Sequence, residues 1–221
     1  RHTFGKMTMK VVDEKNNFIC NLDAGKKKGL NIVNWYFGSS APKVAKGKTF
    51  SFAGMITPRV PAGKYKVLIQ KGKEEYSSVI DVAYSDKSLF TVEEREKQRD
   101  VTMQLYKMTE DLAYIVYELD AYIEHAQTMS SKNPKMHKSA TKLSASLNTF
   151  KETLVVTTGD NYVGQAENEL REDMGELFGT IAGYYGAPSK SQMENFELID
   201  SRMNDAFEEY QSLLNGSIKK Y

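Results

Sequence analysis

The chain has 221 residues with 30 Lys+Arg, 29 Asp+Glu and 40% apolar side chains, which fits one large or two small globular domains and excludes disorder as the default state. Its single cysteine, Cys20, cannot close an internal disulfide, so a disulfide-stapled scaffold is excluded while the redox compartment stays open. No apolar run approaches the roughly 18 residues of a spanning helix, so no membrane span is expected, and the chain starts at Arg1 directly in strand-like sequence, as a piece excised from something longer would.

Residues 5–88 show a period of two broken by turn residues. Gly5 to Val12 reads as a first strand, Asp13 to Asn17 as a turn, and Phe18 to Leu22 as the returning strand of a hairpin. Asp23-Ala24-Gly25 and Lys26-Lys27-Lys28 form a loop. Gly29 to Phe37 (GLNIVNWYF) is the strongest strand signal, because Leu30, Ile32, Val33, Trp35, Tyr36 and Phe37 are β-branched, aromatic or large aliphatic. Thr49 to Phe52 is a short strand. Pro58, Pro61 and Gly63 make an irregular link, and Lys64 to Gln70 pairs with Tyr76 to Val82 across Lys71-Gly72-Lys73. Six or seven short strands without a helix predict a small antiparallel sandwich over residues 1–88.

From residue 89 the period changes to that of a helix. Val101, Leu105, Met108, Leu112, Ile115, Leu119, Tyr122, Ala126 and Met129 step by four and three without a polar break, which places all nine on one face of a helix over about 91–129. Thr91 and Glu94 are spaced as a capping box at its start. A second helix is predicted over about 134–155, with stripe Met136, Ala140, Leu143, Leu147, Phe150 and Leu154. A third is predicted over about 162–185 (Ala166, Leu170, Met174, Leu177, Ile181, Tyr184), stopped by Gly186-Ala187-Pro188. The fourth, about 189–215, opens on Ser189 and Gln192 as a second capping box and carries Met193, Phe196, Ile199, Met203, Ala206, Tyr210 and Leu213. Short links favour an up-down-up-down antiparallel bundle over residues 89–221, with part of the longer first helix free to meet the sandwich.

Charge divides along the same line. Residues 1–90 hold 16 Lys+Arg against 7 Asp+Glu, and residues 91–221 hold 14 against 22. One reading is a basic face for an anionic partner such as nucleic acid or acidic glycan; the favoured one is two domains of opposite sign attracting each other, or simply solvated surface, with no nucleic acid partner, because the lysines are spread singly apart from the Lys26–Lys28 triplet.

A search for chemistry yields no catalytic residue, no cofactor-binding residue and no metal ligand set. His2, His125 and His137 are the only histidines. Glu124 and His125 are adjacent rather than three apart, so a di-iron pattern is missing, and a metal bridging His125 and His137 across the turn between the first and second helices is the weaker of two readings against solvated helix ends. Neither a Gly-x-Ser-x-Gly nucleophile turn nor a phosphate loop occurs. Glu93-Glu94, Glu208-Glu209 and Asp200 fall on polar faces. Gly175, Gly179 and Gly183, four apart, mark tight packing or a groove. Trp35, Tyr36, Tyr65 and Tyr76 form either a sugar-binding platform or, in part, the sandwich core, and Asn215-Gly216-Ser217 matches a glycosylation sequon.

Three stretches in order, GLNIVNWYF at 29–37, PAGKYKVLIQKGKEEYSSVIDV at 61–82, and the tail holding Leu177-Phe178-Gly179 and Gly183 to Gln192, resemble the C-terminal region of secreted bacterial proteins with a sortilin-like propeller of BNR repeats, often labelled glycosyl hydrolases. The strand half also resembles the immunoglobulin-like domain that follows many extracellular propellers. The resemblance implies an α+β chain of two domains, an immunoglobulin-like β-sandwich (1–88) and a four-helix bundle (89–221), located outside the cytoplasm at the cell surface, in the periplasm or beyond. The ligand or catalytic site of such a protein would lie in the upstream propeller; no Ser-x-Asp-x-Gly-x-x-Trp box occurs here, so no family site residue transfers. The expected role is a non-catalytic accessory region that braces the propeller or docks a protein or glycan partner. The alternatives are a carbohydrate-binding module on the sandwich aromatics and part of a glycoside hydrolase whose active site lies upstream, and a homodimer through the first helix is a further partner reading.

Overall fold

A computed structural model describes residues 7–25, 27–159 and 167–220. The chain falls into two compact units: Arg1–Ala41 with Thr57–Arg99 and Tyr185–Ala187, and Pro42–Ile56 with Asp100–Tyr184 and Pro188–Tyr221.

The described residues of the first unit form four strands, β1 (Met7–Asp13), β2 (Phe18–Leu22), β3 (Gly63–Lys71) and β4 (Glu74–Val82), in the antiparallel order β2-β1-β3-β4. The β1–β2 turn is set by Asp13, whose carboxylate accepts from the Asn17 backbone N–H at 2.7 Å and side-chain amide at 2.8 Å, while Asn16 takes a left-handed φ of 64°. Gly72, at φ 62°, turns β3 into β4. Register aligns Val11 with Cys20 on one side and Val67 on the other, and Tyr65 with Ile80, so the apolar positions share a face. Val11, Cys20, Tyr65, Val67 and Val60 form a small core there, with Trp35 half-buried against it.

The predicted sandwich is not formed: among the described residues there is one four-stranded sheet and no second layer. The segment 29–37 joins no ladder and opens on Gly29 at φ 92°. Leu30, Ile32 and Tyr36 are 89%, 81% and 78% exposed, and Phe37 takes a left-handed φ of 57°. Its pairing ends in a single bridge, Gly38 with Arg59, flanked by Ser39 N–H to Pro58 O and Val60 N–H to Phe37 O, both 2.8 Å. Strand-forming side chains favour a strand but do not supply its partner, and here the edge of β2 is met by Ser40, whose N–H donates to Ile19 O at 2.9 Å beside a bulge. Thr49 to Phe52 also forms no strand; a 3-10 turn runs over Phe52–Met55.

Among its described residues the helical part has four α-helices, α1 (Val92–Lys132), α2 (His137–Leu154), α3 (Leu170–Ala182) and α4 (Lys190–Gly216). Both capping boxes are present: Thr91 Oγ accepts from Glu94 N at 3.1 Å while Glu94 accepts from Thr91 N at 2.8 Å, and Ser189 and Gln192 do the same. The start expected for the third helix near Tyr162 lies outside the described residues.

The helices do not alternate up-down-up-down. Asp120 meets Lys151 at 2.5 Å and Ser130 meets Thr141 at 2.9 Å, so α2 runs antiparallel to α1. Asp173 meets Arg202 at 2.6 Å and Thr180 meets Gln192 at 3.5 Å, so α3 runs antiparallel to α4. Glu118 meets Tyr210, and Tyr122 and His125 share a hollow with Ile218, so α4 runs parallel to α1. Thr109 of α1 touches Met174 at the start of α3. These registers place α2 and α3 end to end along α1, giving three lanes rather than four. Length explains it: α1 has 41 residues, about 60 Å, against 18 and 13 residues in α2 and α3.

Two lanes on α1 also explain the width of its buried face. Beside the predicted seam, Thr102, Thr109, Val116 and Ile123, seven apart, are buried as a second seam. Leu119, fully buried at their centre, touches this shared core. Replacing Leu119 by Ala should lower the urea-unfolding free energy by about 2–5 kcal/mol, whereas Tyr117→Ala, at 74% exposure on the same helix, should stay within about 0.5 kcal/mol.

Candidate functional site

The residues singled out for chemistry do not converge. His137 shares a hydrogen bond with Ser130 Oγ at 2.9 Å across the α1–α2 turn, while His125 lies against Tyr122, Leu143 and Ile218. Glu94 is used as a helix cap, Asp200 accepts from Asn204, and Glu208 and Glu209 are exposed. No group of three His, Cys, Asp or Glu suited to a metal occurs among the described residues. Asn215 donates to Gln211 O within α4. Of the sheet aromatics, Tyr65 is buried with its hydroxyl donating to Pro61 O at 2.8 Å, and Trp35 donates to Gly38 O at 2.9 Å. Trp35 meets Tyr65 and Phe37 edge-on at 65° and 62°, not as a flat platform, and Tyr36 and Tyr76 are exposed.

A densely bonded polar cluster in the second unit centres on Arg171, in the first turn of α3 and only 4% exposed. Its Nη1 donates to Ala45 O at 2.9 Å, Nη2 to Thr49 O at 2.9 Å and also to Thr49 Oγ1 and Glu172 Oε1, and Nε to Glu172 Oε1 at 2.8 Å. Thr49 Oγ1 donates to the same carboxylate oxygen at 2.6 Å. The guanidinium thus gathers two carbonyls, of Ala45 and Thr49, from residues 42–56, a strap with no ladder of its own, and Lys48 N–H adds a further attachment by donating to Val156 O at 2.8 Å. Gly47 makes room for the guanidinium: a Cβ there would lie 2.6 Å from Arg171 Nη1. Gly175 and Gly179 face the strap at Ala53 and Ile56, where an added Cβ would meet ordinary contacts of 3.6 and 3.7 Å. Their spacing therefore turns one face of α3 to the strap rather than to another helix, without an unusually close fit. Sequence reading passed over Arg171; a charge beside Leu170 and three residues before Met174, at the edge of an apolar stripe, was the available signal.

Open grooves on the unit's surface include two along α1. One, of about 590 Å³, lies between strap residue Val44 and α1, beside Tyr114 and Tyr117. The other, of about 780 Å³, runs between α1 and α4 over Met108, Ile115, Met203, Phe207 and Leu214. Glu118 stands in its wall and accepts from Tyr114 at 2.9 Å and from the buried Tyr210. Burial, and then the Glu118 carboxylate, push the Tyr210 phenol above the usual range.

Arg171→Leu should destabilise the chain by about 3–5 kcal/mol in urea unfolding, because it leaves Glu172 buried without its cation; the double change Arg171→Leu/Glu172→Leu should be milder than the single one, and Gly47→Ala should also destabilise. Tyr210 tests a different contact. Its phenol is protonated in both states below its unfolded pKa of about 10, so its contribution is complete there; above it only the unfolded state ionises, and the contribution falls as pH rises. The stability gap between the native chain and Tyr210→Phe should be level below about pH 10 and shrink above it by up to about 1.4 kcal/mol per pH unit. Compared with known proteins, this chain matches no family model, no curated protein and no solved structure.

Proposed function

We propose that this chain is a non-catalytic interaction region of a larger secreted protein, bracing an upstream propeller or docking a partner. One observation carries the docking role: the α1–α4 groove is a long surface valley with an apolar floor, while the buried charge of Arg171 is spent on holding the chain's own strap. A catalytic centre needs titratable groups held at reacting distance in a shielded pocket. Here the carboxylates singled out are helix caps, exposed side chains or partners in internal bonds. The propeller association and the extracellular location rest on the likeness of the three stretches at 29–37, 61–82 and 177–192.

The sugar-binding alternative has less support. Stacking on a pyranose face needs exposed rings that share a plane, and the Trp35–Tyr65 pair is edge-on with Tyr65 buried. A panel of chromogenic glycosides, esters and phosphates incubated with the purified chain should show no turnover above buffer; turnover that follows the protein through gel filtration and is lost on replacing a single carboxylate would overturn the reading.

A further inference from the structure

Resting on the docking role above, we infer that the α1–α4 groove binds a basic amphipathic helix of a partner chain. Its dimensions select a helix over a small molecule. The α1 wall extends from Gln104 to Tyr122 and the α4 wall from Asp200 to Leu214, which is about 27 Å and 21 Å at the helical rise. Four helical turns of an occupant match that length and bring three or four apolar anchors, at i, i+4, i+7 and i+11, over the floor. The floor offers them contact: Met108 and Met203, 9% and 7% exposed, show only their edges, and Phe207, 51% exposed, presents a ring that an occupant would cover.

Charge fixes the partner's sign. The walls hold Asp111, Glu118 and Asp200 against Lys107 alone. Over its full length α4 carries six acidic residues and two cations, Lys190 and Arg202. Both cations are engaged, Arg202 with Asp173 at 2.6 Å and Lys190 with Glu194 at 3.6 Å. An acidic helix laid in the valley would meet like charge on both sides, whereas lysines and arginines flanking an apolar stripe would meet the opposite sign.

The test uses a fluorescent 18-residue peptide with leucines at i, i+4, i+7 and i+11 and lysines elsewhere, and a matched peptide with glutamates in place of lysines, titrated with the purified chain by anisotropy at low and at physiological salt. The basic peptide should bind, at least ten-fold more tightly than the acidic one, and weaken with salt. Phe207→Ala should weaken it about ten-fold, and Asp111→Lys/Asp200→Lys should abolish the preference for the basic peptide; circular dichroism verifies that both variants keep their helices. Absence of binding, equal binding of the two peptides, or binding that neither variant alters would overturn the inference. So would a concentration-dependent dimer dispersed by Phe207→Ala, which would make a second copy the occupant. Failure here would leave the non-catalytic role standing, since turnover alone decides that.

Discussion

The constraint behind the second unit is the double apolar seam of α1. Leu105, Leu112 and Leu119 with Val101, Met108 and Ile115 would satisfy a single partner helix, but Thr102, Thr109, Val116 and Ile123 sit a residue further round at heptad spacing. Covering both rows takes helices on two sides for the length of the seam. With α4 on one side, the other side falls to α2 and α3, neither long enough alone, so they follow one another along the same lane. The price is a break in that lane, where α2 stops at Leu154 and α3 starts at Leu170.

The strap answers the break. Lys48 bonds Val156, just past the end of α2, and the carbonyls of Ala45 and Thr49 bond Arg171, in the first turn of α3, so one short segment ties both lips of the gap. Ala45 and Ala53 then join the helical core, and Val44 settles on α1 beside Ala113 and Val116. A segment without a ladder must find donors for its carbonyls elsewhere, and a guanidinium, with its fork of N–H groups, serves several from one side chain. That is the physical reason for a buried cation in a lane whose other buried side chains are apolar except Ser144. A leucine there would bury well enough and leave the strap's carbonyls unbonded.

Period and capping made the helices readable. Nine positions of α1 could be named from spacing alone, and seven of them are buried, with Tyr122 and Met129 at the margin. The two capping boxes are local, four-residue devices, so they too lie open in the sequence. What spacing cannot carry is which helix lies beside which, because α2 and α3 present the same kind of stripe whether they stand side by side or end to end. The strand half fails for a related reason. Alternation in Thr49 to Phe52 is real, since Phe50 and Phe52 face solvent while Thr49 reaches Glu172 and Ser51 faces Gly175, but the surface it alternates against is a helix. Gly29 to Phe37 has the side chains of a strand and no strand beside it.

Reassigning the strap also changes the electrostatics. Cut at residue 90, the chain divides into halves of net +9 and −8; cut by contact, Lys43, Lys46 and Lys48 belong with the helices, and the units carry +6 and −5. Those three lysines sit on a segment whose Val44 lies on α1 over Ala113 and Val116, in a groove that shares with the α1–α4 valley only Tyr114. The helical surface is therefore not uniformly acidic. One side of α1 is softened by strap lysines, and the acid left uncompensated is concentrated on α4, the lane that has no strap. Association driven by charge would accordingly be directional, because screening confines each surface charge to within roughly 8–10 Å at ordinary salt. A cationic partner approaching this unit is drawn to the α4 side, where the apolar floor is also open.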